Sequence, residues 1–192
     1  MRPITPKLQT IYDNTCICYG EFNGDIYEHI PTLRALTEEC DLVTEMGVRW
    51  VVSTWAFLAG KPKKLISIDI DYHPDIEKVK KIAFENGISF EFIQGNTLQI
   101  TIEETDLLFL DTLHTYTQLK KELTLHANKV RKYIIMHDTT TYAHCGMGPE
   151  LGGDIIPLGL WNAITEFLAQ NINWRIKARY TNNNGLTILE KS

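Results

Sequence analysis

The sequence predicts a doubly wound α/β sheet of seven strands in the order 3-2-1-4-5-7-6, the last strand antiparallel, with helices on both faces. Three observations predict it. Short apolar runs rich in β-branched and aromatic residues recur along the chain, as strands buried on both faces of a parallel sheet do. Stretches with apolar steps of three and four separate them, the mark of helices burying one stripe. The tail then changes to two strand-like runs around a turn signal, which fits a closing antiparallel hairpin.

Taken in order, residues 1 to about 30 read as irregular, with Pro3, Pro6, Gly20 and Gly24 as breakers. Pro31 opens a short amphipathic helix through Leu33, Leu36 and Cys40. Residues 1–40 are therefore expected to be an N-terminal cap segment, and residues 41–192 a single compact domain with it. Strands are expected at 42–47, 64–70, 88–94, 106–111 and 132–137. Helices are expected at 75–86 (Ile76, Val79, Ile82, Ala83), 115–130 (Tyr116, Leu119, Leu123, Ala127, Val130) and 160–170. In the last of these Leu160, Trp161, Ile164, Phe167 and Leu168 form the apolar stripe, read as core. The runs 173–181 and 185–190 flank Thr181-Asn182-Asn183-Asn184-Gly185. Alternating units with right-handed crossovers give the doubly wound order.

Composition narrows the function classes. The chain has 192 residues, enough for one sizeable core, with 44% apolar and 22% charged residues, so neither disorder nor a fibrous class is favoured. The net charge is −5 and no dense basic run appears, which argues against a nucleic-acid partner. No apolar run reaches a membrane span of ~18 residues and the N-terminus has no signal-peptide core. A cytoplasmic protein is expected, or one of the host cytoplasm if the gene is viral. Cys16, Cys18, Cys40 and Cys145 match no zinc spacing and are read as thiols in a reducing compartment.

In open α/β sheets, ligands bind beyond the carboxyl ends of the strands. The exit of strand one reads Glu45-Met46-Gly47-Val48-Arg49-Trp50-Val51-Val52-Ser53-Thr54. Gly47 allows a tight turn and close ligand approach, and Ser53 and Thr54 can cap a helix. Arg49 and Val51 stand where a dinucleotide fingerprint would carry further glycines, which leaves room for a cofactor without phosphates. Asp69, ending strand two, can accept both hydroxyls of a ribose, a role Asp71 could share; Asn96, after strand three, could meet an adenine edge. Each of these also has an ordinary reading, as a strand-to-helix turn or a solvated loop group.

Strand four ends in Asp111, followed by His114; strand five ends in His137-Asp138. The span from one aspartate to the other suits one βαβ unit of about 30 residues. Asp111, Asp138 and His137 could ligate a divalent cation, Mg²⁺ or, with a histidine ligand, Mn²⁺, Fe²⁺ or Zn²⁺. Such a cation would lower the pKa of a bound hydroxyl, and His114, with an ordinary pKa of about 6.5, could take the proton near neutral pH. The plainer alternative is that the acids cap helices and His137 is a core residue. His29, His73, His126 and His144 read as surface or loop groups. Residues 140–159, rich in Gly and Pro, read as a loop over the crevice, where Tyr142, His144 and Glu150 could touch substrate.

Together the blocks TEMGVRWVVST, LISIDID, DLLFLDTLHTYTQLKKEL, YIIMHDTTTY, GLWNAITEFL and NNNGLTILE resemble the class I S-adenosylmethionine-dependent methyltransferases, which have a Rossmann-like fold. More narrowly they look like the group of macrocin-type sugar O-methyltransferases and cephalosporin-hydroxylase-like proteins, over about residues 40–190. The resemblance implies a metal-ligand role for Asp111, general-base catalysis by His114, and Mg²⁺ binding by Asp138. The family usually has two adjacent acids at the end of strand five; His137 stands here in place of one. Glu45, Gly47, Ser53 and Thr54 match the loop holding the methionine part of S-adenosyl-L-methionine, and Asp69 the ribose acid; Arg49 and Val51 depart from the family's glycines. Tyr27 and His29 could cover the cofactor, as N-terminal segments do in relatives. The expected function is O-methylation of a sugar, glycan or glycosylated small molecule, possible also as a homodimer. Two alternatives stand beside it: an NAD(P)-dependent oxidoreductase on a similar sheet, against which the absent glycines argue, and a non-catalytic cofactor-binding or partner module.

Overall fold

The computed structural model describes residues 3–18 and 24–192; Gly20, expected as a breaker, lies outside them. The seven strands follow the order β3-β2-β1-β4-β5-β7-β6, with helices flanking the sheet, as expected. The chain divides into two units, Met1–Asn96 and Thr97–Ser192.

The first unit holds α1 (Pro6–Thr15), α2 (Ile30–Thr37), β1 (Leu42–Met46), α3 (Val52–Gly60), β2 (Lys64–Asp69), α4 (Ile76–Glu85) and β3 (Ser89–Gln94). Its strands are parallel, with Leu42 opposite Lys64 and Lys64 opposite Ser89. Within the stretch expected to be irregular, α1 is a correction. Thr5 caps it, its side chain accepting from the Leu8 N–H, and Pro6 begins it. That pairing of a capping hydroxyl with a proline at the first turn is a helix start. Leu8 and Tyr12 bury one side of α1, which packs with α2 against α3. Eight of the nine residues of α3, Ser53 through Gly60, are buried. So this helix shows no apolar stripe in sequence, as an all-round buried helix does not.

The second unit holds β4 (Thr105–Leu110), α5 (Tyr116–His126), β5 (Val130–His137), α6 (Leu160–Gln170), β6 (Trp174–Tyr180) and β7 (Leu186–Lys191). Every residue of β4 is buried. The expected helix over 115–130 is shorter: α5 passes into a 3₁₀ turn, Ala127–Lys129, and β5 begins at Val130. β5 pairs parallel with β4 and antiparallel with β7. The hairpin turn sets Asn183, Asn184 and Gly185 at φ +46°, +66° and +95°. Asparagine and glycine tolerate this left-handed region best. Leu160, Ala163, Ile164 and Phe167 form the buried stripe of α6. Trp161, expected in that core, is half-buried and lies 3.7 Å beneath the Arg179 guanidinium.

His29 and His126, expected as surface or loop groups, are both buried. The His126 ring satisfies its Nε2 against the Thr97 carbonyl, 2.9 Å away. Among the described residues no helix is long and apolar enough to cross a membrane.

Candidate functional site

Each unit carries a cluster at the carboxyl ends of its strands. In the first, β1 delivers Glu45, which has no exposed surface. Its carboxylate accepts from the hydroxyls of Ser53 (2.5 Å), Thr54 (2.8 Å) and Ser67 (2.6 Å). Ser53 and Thr54 therefore do not cap α3, as their position suggested. The cap position is Val51, which offers no side-chain bond, and the two hydroxyls fasten the first turn of α3 to β1 instead. Burial pushes the Glu45 carboxyl up to about 7, against the pull of the three hydroxyls.

Between Glu45 and α3 the backbone alternates in hand. Gly47, Arg49 and Val51 have φ of +87°, +44° and +58°. These are the positions at which glycines would be expected; the loop keeps a glycine-like path with only one glycine. A non-glycine residue in this region costs roughly 1–2 kcal/mol, and a β-branched one is a true outlier. Strain of this kind persists where the surroundings over-determine it, and it gathers at ligand clamps. The surroundings are visible: Asp69 Oδ2 accepts from the N–H groups of Val48 (2.7 Å) and Arg49 (3.0 Å). Val51 is buried, while Arg49 lies over the Trp50 ring at 4.0 Å and meets Asp25 at 3.3 Å. Asp69 Oδ1 accepts from the Asp71 N–H at 3.0 Å. So Asp69 pins the loop through three backbone N–H groups, which leaves about one of its four lone-pair sites open, on Oδ1. Asp71 and Asn96 are exposed.

In the second unit Asp111, His114, His137 and Asp138 come together. His114 Nε2 lies 2.9 Å from Asp138 Oδ2 and 3.4 Å from Asp111 Oδ1. His137 Nδ1 lies 3.3 Å from Asp138 Oδ2 and 3.6 Å from Asp111 Oδ2, and its Nε2 is 3.2 Å from the Asn183 carbonyl. His137 Nε2 thus meets a carbonyl, while its Nδ1 lies at ion-pair distance from both carboxylates. Asp138 sits at φ +59°, which turns its carboxylate back beside both rings.

The charges follow from this geometry. Burial opposes ionisation of all four groups. Hydrogen bonds that His114 donates to the Asp111 and Asp138 carboxylates override it and raise that ring to about 9. His137 is raised well above the ordinary imidazole range, by Asp111 first. Asp111 is held well below the usual carboxylate range by the His137 charge, and Asp138 is lowered by its bond to His114. The geometry thus biases both rings toward the imidazolium and both acids toward the carboxylate. Proton uptake by His114 near neutrality, expected from its ordinary pKa, is thereby corrected: its neutral form belongs to pH about 9 and above.

Ligand atoms of Asp111, His114 and Asp138 all lie within 4.8 Å of one another, a donor set of two carboxylates and an imidazole that fits a divalent cation. His137 is not of this set; its ring is buried behind the carboxylates, with Nδ1 toward them and Nε2 at the Asn183 carbonyl.

Of the three loop residues expected to touch substrate, Tyr142 stacks on His114 with ring centroids 4.8 Å apart, while His144 and Glu150 are exposed. The loop is tied to the His114 turn: Met147 N–H donates to the His114 carbonyl (2.9 Å), and Asp154 accepts from the Thr117 N–H (3.0 Å). A side chain at Gly146 would bring a Cβ within 2.9 Å of that carbonyl. Leu151, Ile155 and Ile156 of the same loop are exposed. Sequence reasoning gave no role to Ser67, whose only signal was a small polar residue inside an apolar strand. It also missed Glu122, a charged residue on the buried side of α5.

No family model matches the chain, and no curated protein sequence does. Solved structures do. A Corynebacterium glutamicum protein matches with a TM-score of 0.64 at 14% identity, over 98% of this chain and 90% of its own. The N-methyltransferase NodS of Bradyrhizobium japonicum, in complex with S-adenosyl-L-homocysteine, matches at 0.61 and 15%, over 97% and 99%. An O-methyltransferase of Bacillus cereus, in complex with the same product, matches at 0.57 and 14%, over 99% and 92%. At such identities the likeness is one of architecture: the chain has the seven-stranded, Rossmann-like fold of the methyltransferases.

Proposed function

We propose that the chain is an S-adenosylmethionine-dependent methyltransferase acting on a hydroxyl oxygen. The observation that carries the reading is the loop after β1, where a left-handed path survives at two non-glycine positions, pinned by Asp69. Strain held in this way suits a loop kept in shape for a ligand. Gly47 and the neighbouring backbone would face the methionine part of the cofactor. The open lone pair on Asp69 Oδ1 would take one ribose hydroxyl, with Asp71 placed to take the other. Glu45 acts from behind, holding α3 and β2 through Ser53, Thr54 and Ser67. Asp71 and Asn96 stand as exposed groups for the ribose and the adenine edge.

In the second unit, His114 in its neutral form would take the acceptor's proton, while Asp111 and Asp138 orient its ring. Tyr142 holds the other face of that ring by stacking. Mg²⁺ or Mn²⁺ would be held by Asp111 and Asp138, leaving His114 as the base, and would supply acidification of a coordinated hydroxyl. His137 offsets the charge of the two acids from behind.

The acceptor is a hydroxyl of a sugar, glycan or glycosylated small molecule. The exposed apolar side chains Leu151, Ile155 and Ile156, on the loop tied to His114, favour the last of these, whose body is apolar. A small-molecule substrate in the cytoplasm, handled by a monomer or homodimer, completes the proposal.

Titration calorimetry with S-adenosylhomocysteine tests it. Micromolar binding is expected, weakened at least tenfold in Asp69→Ala; absence of heat with the unaltered protein overturns the reading. In Asp69→Ala the loop also loses its pin, so Asp69→Asn, which keeps one acceptor oxygen, is expected to bind with intermediate strength.

A further inference from the structure

We propose that Glu122 is the positioning residue of the Asp111–His114 turn, which it grips from α5 through the hydroxyl of Thr112. The methyltransferase reading enters only in what the turn is for; the grip is geometry. Glu122 has no exposed surface. The Thr112 hydroxyl lies 2.9 Å from each of its carboxylate oxygens. Oε1 also accepts from the Thr97 hydroxyl at 2.6 Å and from Gln118 Nε2 at 2.8 Å. Gln118 Nε2 reaches Thr97 Oγ1 as well, at 3.1 Å. Thr97 is fixed a second time by His126, at its carbonyl.

A carboxylate accepts only and offers about four lone-pair sites, so it can gather three donors that do not belong to one element. Here they come from the segment before β4, the turn after β4, and α5 itself. Burial pushes the Glu122 carboxyl up, so the charge disfavours the folded state. Stability alone would be served by an apolar side chain of like volume with its partners made apolar too.

The turn explains what a carboxylate adds. Its far end is held by backbone: Thr115 N–H to the Leu113 carbonyl at 2.7 Å, and Met147 N–H to the His114 carbonyl at 2.9 Å. Thr112 ties the near end, next to Asp111. With both ends fixed, Asp111 Oδ1 stays 3.4 Å from His114 Nε2. Reacting groups need to be held to about 0.5 Å, which a turn anchored at one end does not secure.

The test reads His114 directly, in the protein without ligand, by heteronuclear NMR of the imidazole nitrogens at one fixed pH. His114→Gln assigns the signals. Thr112→Val removes one hydroxyl and keeps the shape. It is expected to shift the His114 ring resonances and to speed exchange of its Nε2 proton about tenfold. Thr97→Val removes a bond to the same carboxylate without touching the turn, and is expected to leave His114 unchanged. Glu122→Leu is expected to match Thr112→Val, and their combination to add nothing further, as for one shared interaction. Glu122→Gln, whose oxygen and amide can still meet hydroxyls, is expected to restore most of the signal.

Equal responses to Thr97→Val and Thr112→Val would overturn the proposal in favour of a purely structural network. An unmoved His114 signal in Thr112→Val would overturn it too, whether or not Glu122→Leu folds. Calorimetry with S-adenosylhomocysteine on the same samples reports separately on the underlying reading, since loss of cofactor binding in the unaltered protein leaves these His114 results standing.

Discussion

Glu45 in the first unit and Glu122 in the second are both fully buried carboxylates fastened by neutral donors, three hydroxyls in one case and two hydroxyls and an amide in the other. Each braces a turn at the end of a strand. The turns they brace differ. Beside Glu45 the backbone itself is unfavourable, with Arg49 and Val51 left-handed. Beside Glu122 the unfavourable element is charge, two aspartates and two histidines gathered out of water. The first unit thus holds its turn against backbone strain, and the second against buried charge.

The largest expected effect comes from unbalancing that charge. Asp138→Asn keeps the side-chain shape and tolerates φ +59°, but leaves His114 and His137 with one carboxylate between them. Removing one partner of a buried pair costs about 3–5 kcal/mol. Denaturant unfolding checks this; a loss below about 1 kcal/mol would show that the cluster is not ionised. The matching change in the first unit, Asp69→Asn, alters neutral N–H bonds at a partly exposed site and is expected to cost about 1 kcal/mol.

The next comparison uses pH, and the two units should separate along it. Glu45 is raised from 4.5 to about 7 on folding, so the folded state holds its proton more tightly than the unfolded chain. Its effect is a loss of stability as pH climbs from below 4.5 to about 7, on the order of 3 kcal/mol. His114 is raised from 6.5 to about 9. It contributes stability that is complete below 6.5 and lost as pH rises through about 9. Melting temperature should therefore fall in two stages. Glu45→Gln is expected to reduce the lower stage, to which Glu122 also contributes, and His114→Gln the upper, to which His137 also contributes. A single stage removed by either substitution would mean that the units are not independent in this respect. On the proposed role of His114 as base, methyl transfer should rise with pH toward about 9.

The same contrast explains what the sequence made legible. Strand order, hairpin and the Asp111–His114–Asp138 group follow from alternating apolar runs and from acids at strand ends, which are local patterns. The helix α3 escaped periodicity because Trp55, Ala56, Phe57, Leu58 and Ala59 are buried all round. The first helix was signalled by Thr5 and Pro6, but two prolines in the segment masked it. Glu45 was legible as a position and not as a role, since its partners Ser53 and Ser67 come from two other elements. His114 was legible as a histidine, yet its charge state depends on Asp138, which β5 brings in from far along the chain.

The smallest effects sharpen the account of the strained loop. Val51→Gly relieves roughly 1–2 kcal/mol of left-handed strain but forfeits a buried Val side chain worth about 1.5–3 kcal/mol. It also raises the entropy of the unfolded chain, by about 0.4–1 kcal/mol. The net expectation is a loss of about 1–2 kcal/mol. Arg49→Gly relieves the same strain at a side chain that is mostly exposed and whose ion pair with Asp25 contributes about 0–1 kcal/mol. Here the terms nearly cancel, and the melting temperature should stay within about 2 °C of the parent. Burial, and not backbone angle, then decides why a valine persists at one left-handed position while an arginine is free to vary at the other. Equal losses in the two variants would show that Arg49 is held in place by something as strong as the core contact of Val51, and would move the loop's anchor from Asp69 to the Asp25–Arg49–Trp50 contact.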